Sequence, residues 1–128
     1  MRKIILMMLL AVVSSSAMAE WVIIRKTKPF SVYVDPATTS SYGNRFIMWY
    51  LLDYKMAKTI NGKPSMSEKG HGEFDCKKKQ ARSLYYSWHS GNMGTGEVVL
   101  SDSNPDKLMP LVPGSITKEL WKIACGKR

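Results

Sequence analysis

The chain has 128 residues, with 19 basic and 10 acidic side chains and a net charge of +9. That length holds one domain with a modest core and leaves no room for a second. Charge of this sign favours polyanions or acidic protein surfaces as partners and says nothing about fold.

Arg2 and Lys3 precede an unbroken apolar run from Ile4 to Val13, and Ser14 to Ser16 lead into Ala17-Met18-Ala19, a small-x-small cleavage site. Residues 1–19 are therefore expected to be a signal peptide, cut between Ala19 and Glu20, with 20–128 as the mature domain. The apolar run is too short for a bilayer span of about 20 residues, so no stable membrane anchor is expected after cleavage. An uncleaved anchor is the alternative. Removing 19 residues from 128 leaves 109, and two of the basic residues go with them, for a balance of +7. The expected location is the periplasm, with the cell surface or secretion as alternatives. An exported chain rarely meets nucleic acid, so lipopolysaccharide, glycosaminoglycans or acidic protein surfaces are the expected partner classes.

Trp21 to Ile24 is a short apolar run that predicts a first strand, interrupted at Lys28-Pro29. Phe30, Val32 and Val34 alternate with Ser31, Tyr33 and Asp35 in a second. Asp35-Pro36 is expected to end it, with Thr38 to Asn44 as a polar loop that turns at Gly43-Asn44. Arg45 to Tyr54 is the strongest strand signal. Phe46, Met48, Tyr50 and Leu52 face one way and Ile47, Trp49 and Leu51 the other. Apolar residues on both sides predict a central strand covered on both faces, or one face covered by a second subunit in a homodimer. Asn61-Gly62 is a two-residue hairpin turn into a strand from Pro64 to Cys76, where Gly70 and Gly72 predict a bulge. Lys77-Lys78-Lys79-Gln80 allows a reversal into a fifth strand, Ser83 to Trp88. Gly91 to Gly94 turns into a sixth, Val98 to Leu100. Residues 102–114 carry three prolines and read as a crossover loop, packed on the sheet through some of Leu108, Met109, Leu111 and Val112.

Pro113 and Gly114 break that loop, and Ser115 is placed as an N-cap. Ile116, Leu120, Ile123 and Ala124 then form one apolar face of a helix that ends at Cys125. The four tryptophans, Trp21, Trp49, Trp88 and Trp121, are expected in the core. The fold class that follows is α+β, a single six-stranded antiparallel sheet with one C-terminal helix packed on a face and tied to it by a disulfide. The chain has two cysteines, Cys76 and Cys125, and in an oxidising compartment they are expected to pair. Closing that loop stabilises a domain by roughly 3–4 kcal/mol in the chain-entropy model.

Catalysis finds little support. His89, Ser90 and Asp102 supply the residue types of a hydrolase, but neighbouring strand residues point to opposite faces, so His89 and Ser90 are poorly placed to bond. A zinc site of Cys76 with His71 and His89 matches no compact ligand spacing. No enzyme activity, cofactor or metal is expected. The candidate binding patch is the basic cluster Lys77, Lys78, Lys79 and Arg82, read either as a solvated turn or as a contact for a polyanion or host protein.

The EFDC of 73–76, Arg82-Ser83-Leu84, the HSGNMGTGEVV of 89–99 and the VPGSITKELWKIAC of 112–125 resemble the surface-adhesin protein E family of Gram-negative bacteria. The EWV of 20–22 and the YVDP of 33–36 fit as well, so the resemblance covers essentially all of the mature chain. It implies a six-stranded antiparallel sheet, a disulfide-held C-terminal helix at Cys76 and Cys125, and a dimer. It also implies a non-enzymatic binding protein, since the founding adhesin is a surface lipoprotein that binds host matrix proteins such as vitronectin and laminin. This leader carries no lipobox cysteine. The alternative is a soluble periplasmic ligand- or partner-binding module, using the groove between helix and sheet and the 102–114 loop.

Overall fold

Alternating side chains make the strands, and glycine-bearing turns space them. The computed structural model describes residues 20–126. The expected signal peptide, with Ala19 of its cleavage site, lies outside the described residues. Strands β1 (Val22–Lys26), β2 (Phe30–Tyr42), β3 (Arg45–Ile60), β4 (Lys63–Asp75), β5 (Gln80–His89) and β6 (Val98–Asp102) pair antiparallel in chain order. A short strand β7 (Met109–Pro110) returns to the open edge of β5 beside Gln80 and Ala81, and α1 (Ile116–Ala124) packs on one face of the sheet. Among the described residues the meander and its single α-helix are as expected, and β7 is additional. It forms because the crossover loop is pinned to β5, with the Asp106 amide donating to the Ser83 carbonyl at 3.0 Å and the Leu111 amide to the Lys79 carbonyl at 3.3 Å.

One strand runs further than its sequence suggests. β2 does not stop at Asp35-Pro36: residues 38–42 are strand and not loop, while Gly43-Asn44 is the expected turn. Pairing with β3 skips from Asp35↔Trp49 to Ser40↔Ile47 and resumes to Tyr42. Proline has no amide to donate, so Pro36 sits in an unpaired bulge and the ladder re-forms beyond it. β3 does the same against β4, skipping from Asp53↔Ser67 to Lys58↔Ser65 before the Asn61-Gly62 turn. Asn61 and Gly62 take φ of 51° and 75° there, the left-handed values a tight hairpin requires.

The main core lies between α1 and the sheet. Val32, Val34, Met48, Phe74 and Ala81 of the sheet meet Leu120, Trp121 and Ala124 of the helix. Ser115 caps α1 by accepting from the Lys118 amide at 3.1 Å. At the other end Cys76 and Cys125 form a disulfide that closes a separation of 49 residues. The Trp121 indole donates to the Asp75 carbonyl at 2.9 Å. These two ties set the rotation of the helix, which corrects the expected apolar face at one position: Ile123 is 46% exposed, while Trp121 is buried as expected. The tryptophans are corrected too. Only Trp121 is buried, while Trp21, Trp49 and Trp88 are half-buried. Trp49 faces away from the helix and stacks on His71 at 4.2 Å.

Both faces of β3 are covered in part by the chain itself. The turn at Asn92–Gly94 folds over Leu51, with the Met93 amide bonded to Asp53 at 2.8 Å and the Gly94 amide to Ser67 at 2.9 Å. On the helix side the Tyr50 ring lies against Gly70, where any Cβ would overlap it. Glycine at 70 is needed for that close approach.

Candidate functional site

The turn between β4 and β5 carries three of the four basic residues singled out from the sequence. Lys77, Lys78 and Lys79 are exposed on it. Its backbone is held from several sides. The Asp75 carboxylate accepts the amides of Lys77 at 3.1 Å and Lys78 at 2.8 Å. The Cys76 amide donates to the Asn44 carbonyl at 2.9 Å, and Lys79 takes a left-handed φ of 55°. The disulfide anchors the turn to α1. The amide of Lys78, then that of Lys77 and the charge of Arg45, hold the Asp75 carboxyl below its ordinary range against the effect of burial. The turn is therefore built before any partner arrives, and among the described residues none of its lysines is in an ion pair.

Arg82 is not grouped with them. Its guanidinium turns to the face away from the helix and bonds Glu73 at 2.9 Å. Glu73 is 1% exposed and also accepts from Tyr42 and from Arg45, the latter at 3.2 Å. Burial pushes its carboxyl up, but the bonds from Tyr42 and Arg82 and both guanidinium charges outweigh this and hold it low. Glu73, Asp75 and Arg45 were not picked out from sequence, although acidic residues just before a basic run are the available signal. They consume charge to build the end of the sheet.

The hydrolase residues are not assembled. His89 bonds Ser87 at 2.8 Å, its neighbour on the same face, while Ser90 accepts from the Glu97 amide at 2.8 Å and Asp102 from the Asn104 amide at 2.8 Å. Burial lowers the pKa of both histidines, helped at His89 by Lys69. Cys76 is oxidised, so it offers no thiolate for zinc. Among the described residues no group of three or more His, Cys, Asp or Glu is placed to hold a metal.

A cleft of about 290 Å³ opens between α1, the crossover loop and the sheet, where the helix–sheet groove was expected. Tyr50, Phe74, Ala81 and Leu120 make its apolar walls, with Ser83 and Asp106 at the loop side. Burial raises the Tyr50 phenol, as do the nearby charges of Glu68 and Asp106, so it stays protonated and able to donate a hydrogen bond.

Comparison with known proteins places this arrangement. Crystal form II of Haemophilus influenzae protein E superposes with a TM-score of 0.64, covering 86% of this chain and 90% of that one at 8% identity. A second structure of Haemophilus influenzae protein E gives 0.62 over 86% of each chain at 9% identity. Protein E from non-typeable Haemophilus influenzae gives 0.60 over 86% of this chain and 79% of that one at 12% identity. At such identities the likeness is one of fold. No curated protein sequence matches the chain. A model of the surface-adhesin protein E family matches residues 21–126, and the chain belongs to that family.

Proposed function

We propose that this is an exported, non-enzymatic, adhesin-like protein that binds acidic host matrix proteins or polyanions through Lys77, Lys78 and Lys79. The observation that carries this reading is the preformed turn. Asp75, the disulfide and the β7 side of the sheet fix its backbone, so a partner need not order it on binding. The ammonium groups are exposed, and their attraction is long-ranged and weakened by salt. Arg82 contributes to the same end of the molecule through Glu73 and not through solvent.

The test is binding of the mature protein to immobilised laminin and to heparin at rising salt. The triple variant K77Q/K78Q/K79Q is expected to lose binding and to melt within about 0.5 kcal/mol of the wild type, as surface changes do. Unchanged binding refutes the turn as the contact.

A second reading, a periplasmic ligand- or partner-binding module, is favoured by the cleft lined by Tyr50, Phe74 and Leu120. Protease treatment of intact cells separates the two. Digestion before the outer membrane is opened supports the adhesive role. Protection until then assigns the protein to the periplasm and the function to the cleft. The homodimer that the family resemblance implies would use the Trp49 face of the sheet. Sedimentation of the wild type against Trp49→Lys tests it, with a monomeric wild type as the refuting result.

A further inference from the structure

At the end of the sheet opposite the disulfide, residues 54–57 of β3 leave their pairing with β4 and lie beside the β1–β2 turn. The Lys55 amide ties the two segments together by donating to the Pro29 carbonyl at 3.0 Å. Between them is a groove of about 430 Å³, within the usual range of small-molecule sites, about 300–1,000 Å³. Phe30 and Tyr54 contribute aromatic rings to it, their centroids 5.5 Å apart. Met56 stands beside them 81% exposed, with most of its thioether side chain in water. Lys28, Lys55 and Lys58 supply charge, and no carboxylate lines the groove. Lys58 is partly committed: its ammonium lies 5.1 Å from the Tyr54 ring centroid and feels Glu68. Among the described residues neither Lys28 nor Lys55 is in an ion pair.

An apolar, aromatic hollow flanked by the ammonium groups of Lys28 and Lys55 matches one ligand chemistry. We propose that this groove binds a single anionic amphiphile, an acyl or aryl group that carries a carboxylate or phosphate. The apolar part would lie over Phe30, Tyr54 and Met56, recovering burial that the free protein leaves unrealised. The anionic head would meet Lys28 and Lys55. The concave shape favours one molecule entering from solution over contact with a bilayer. The site is independent of the Lys77–Lys79 turn, so the two readings fail separately.

The experiment is calorimetric titration of the mature protein with dodecyl phosphate below its micellar concentration. Neutral dodecyl maltoside and inorganic phosphate are titrated alongside it. The expected result is saturable one-to-one binding of dodecyl phosphate only, with a raised melting temperature. K28Q/K55Q should weaken binding about tenfold, the equivalent of one charge-assisted contact. Met56→Ser should also weaken it, while K77Q/K78Q/K79Q leaves it unchanged. The proposal is overturned by absent or non-saturable binding, by equal binding of the neutral amphiphile, or by a lowered melting temperature, which marks general detergent action. Equal loss in the K77Q/K78Q/K79Q variant also overturns it. So does binding confined to phosphatidylglycerol vesicles, which would make the surface a membrane contact.

Discussion

Glu73 and Glu68 share strand β4, face opposite sides of the sheet, and belong to opposite ends of it. Glu73 is buried but bonded by Tyr42, Arg45 and Arg82, and these contacts hold its carboxyl low. Glu68 is half-buried beside Trp88 and Leu52, has no hydrogen bond among those of the described residues, and burial raises its carboxyl, with Lys58 only partly offsetting this. The contrast extends to the surroundings. Near Glu73 the guanidiniums are spent on architecture, and the disulfide and Asp75 fix the lysine turn. Near Glu68 the backbone bows out of its ladder and the lysines stand over an aromatic groove. One end presents charge on a rigid support; the other presents charge around a space.

The largest way to break this comparison is to remove the clamp. C76S/C125S is expected to cost about 4 kcal/mol for a loop of this length, read by denaturant titration, and to leave amphiphile binding at the far groove intact. Equal stability would show that the disulfide does not hold the first end together. Next, Glu73→Gln should cost about 2 kcal/mol, because the pair of arginines then faces a neutral partner. A carboxyl whose folded pKa lies below its unfolded value of about 4.3 adds stability above that pH and loses it as pH falls through the folded value. The wild type should therefore lose stability on acidification below about pH 4, and Glu73→Gln should flatten that loss; an unchanged acid profile would remove Glu73 from the account. The smallest effect has the opposite sign. Glu68 has a raised folded pKa, so its contribution is favourable at acid pH and lost as pH rises through that value. Glu68→Gln should raise the melting temperature slightly at pH 7, and a fall would mean that its charge supports Lys58 more than burial penalises it.

Most of the fold was legible because its signals are local. Period-two alternation marks β3 and β5, Asn61-Gly62 carries its own turn chemistry, and Ser115 announces the helix start. The reading failed where pairing across strands overrides a local stop. Pro36 looks terminal to a strand read alone, yet β3 offers partners on both sides of it and the ladder resumes. The same applies to β7, which exists only because the open edge of β5 accepts it. Of the candidate site, the lysines and the cysteines were visible as residue types. Arg82 sits in the same run, and only its cross-strand position opposite Glu73 separates it from them.

By itself, then, the sequence determined the class of fold, the order of its strands and the position of the helix, since each depends on neighbours in the chain, and with two cysteines it left one intramolecular tie to make. Tertiary structure alone decided which charges are consumed and which remain free. It also decided that Ile123 stays outside the core, and that Phe30, Tyr54 and Met56 share a groove with Lys28 and Lys55. Those outcomes depend on register and on helix rotation, which bring together residues whose spacing along the chain carries no sign of their meeting.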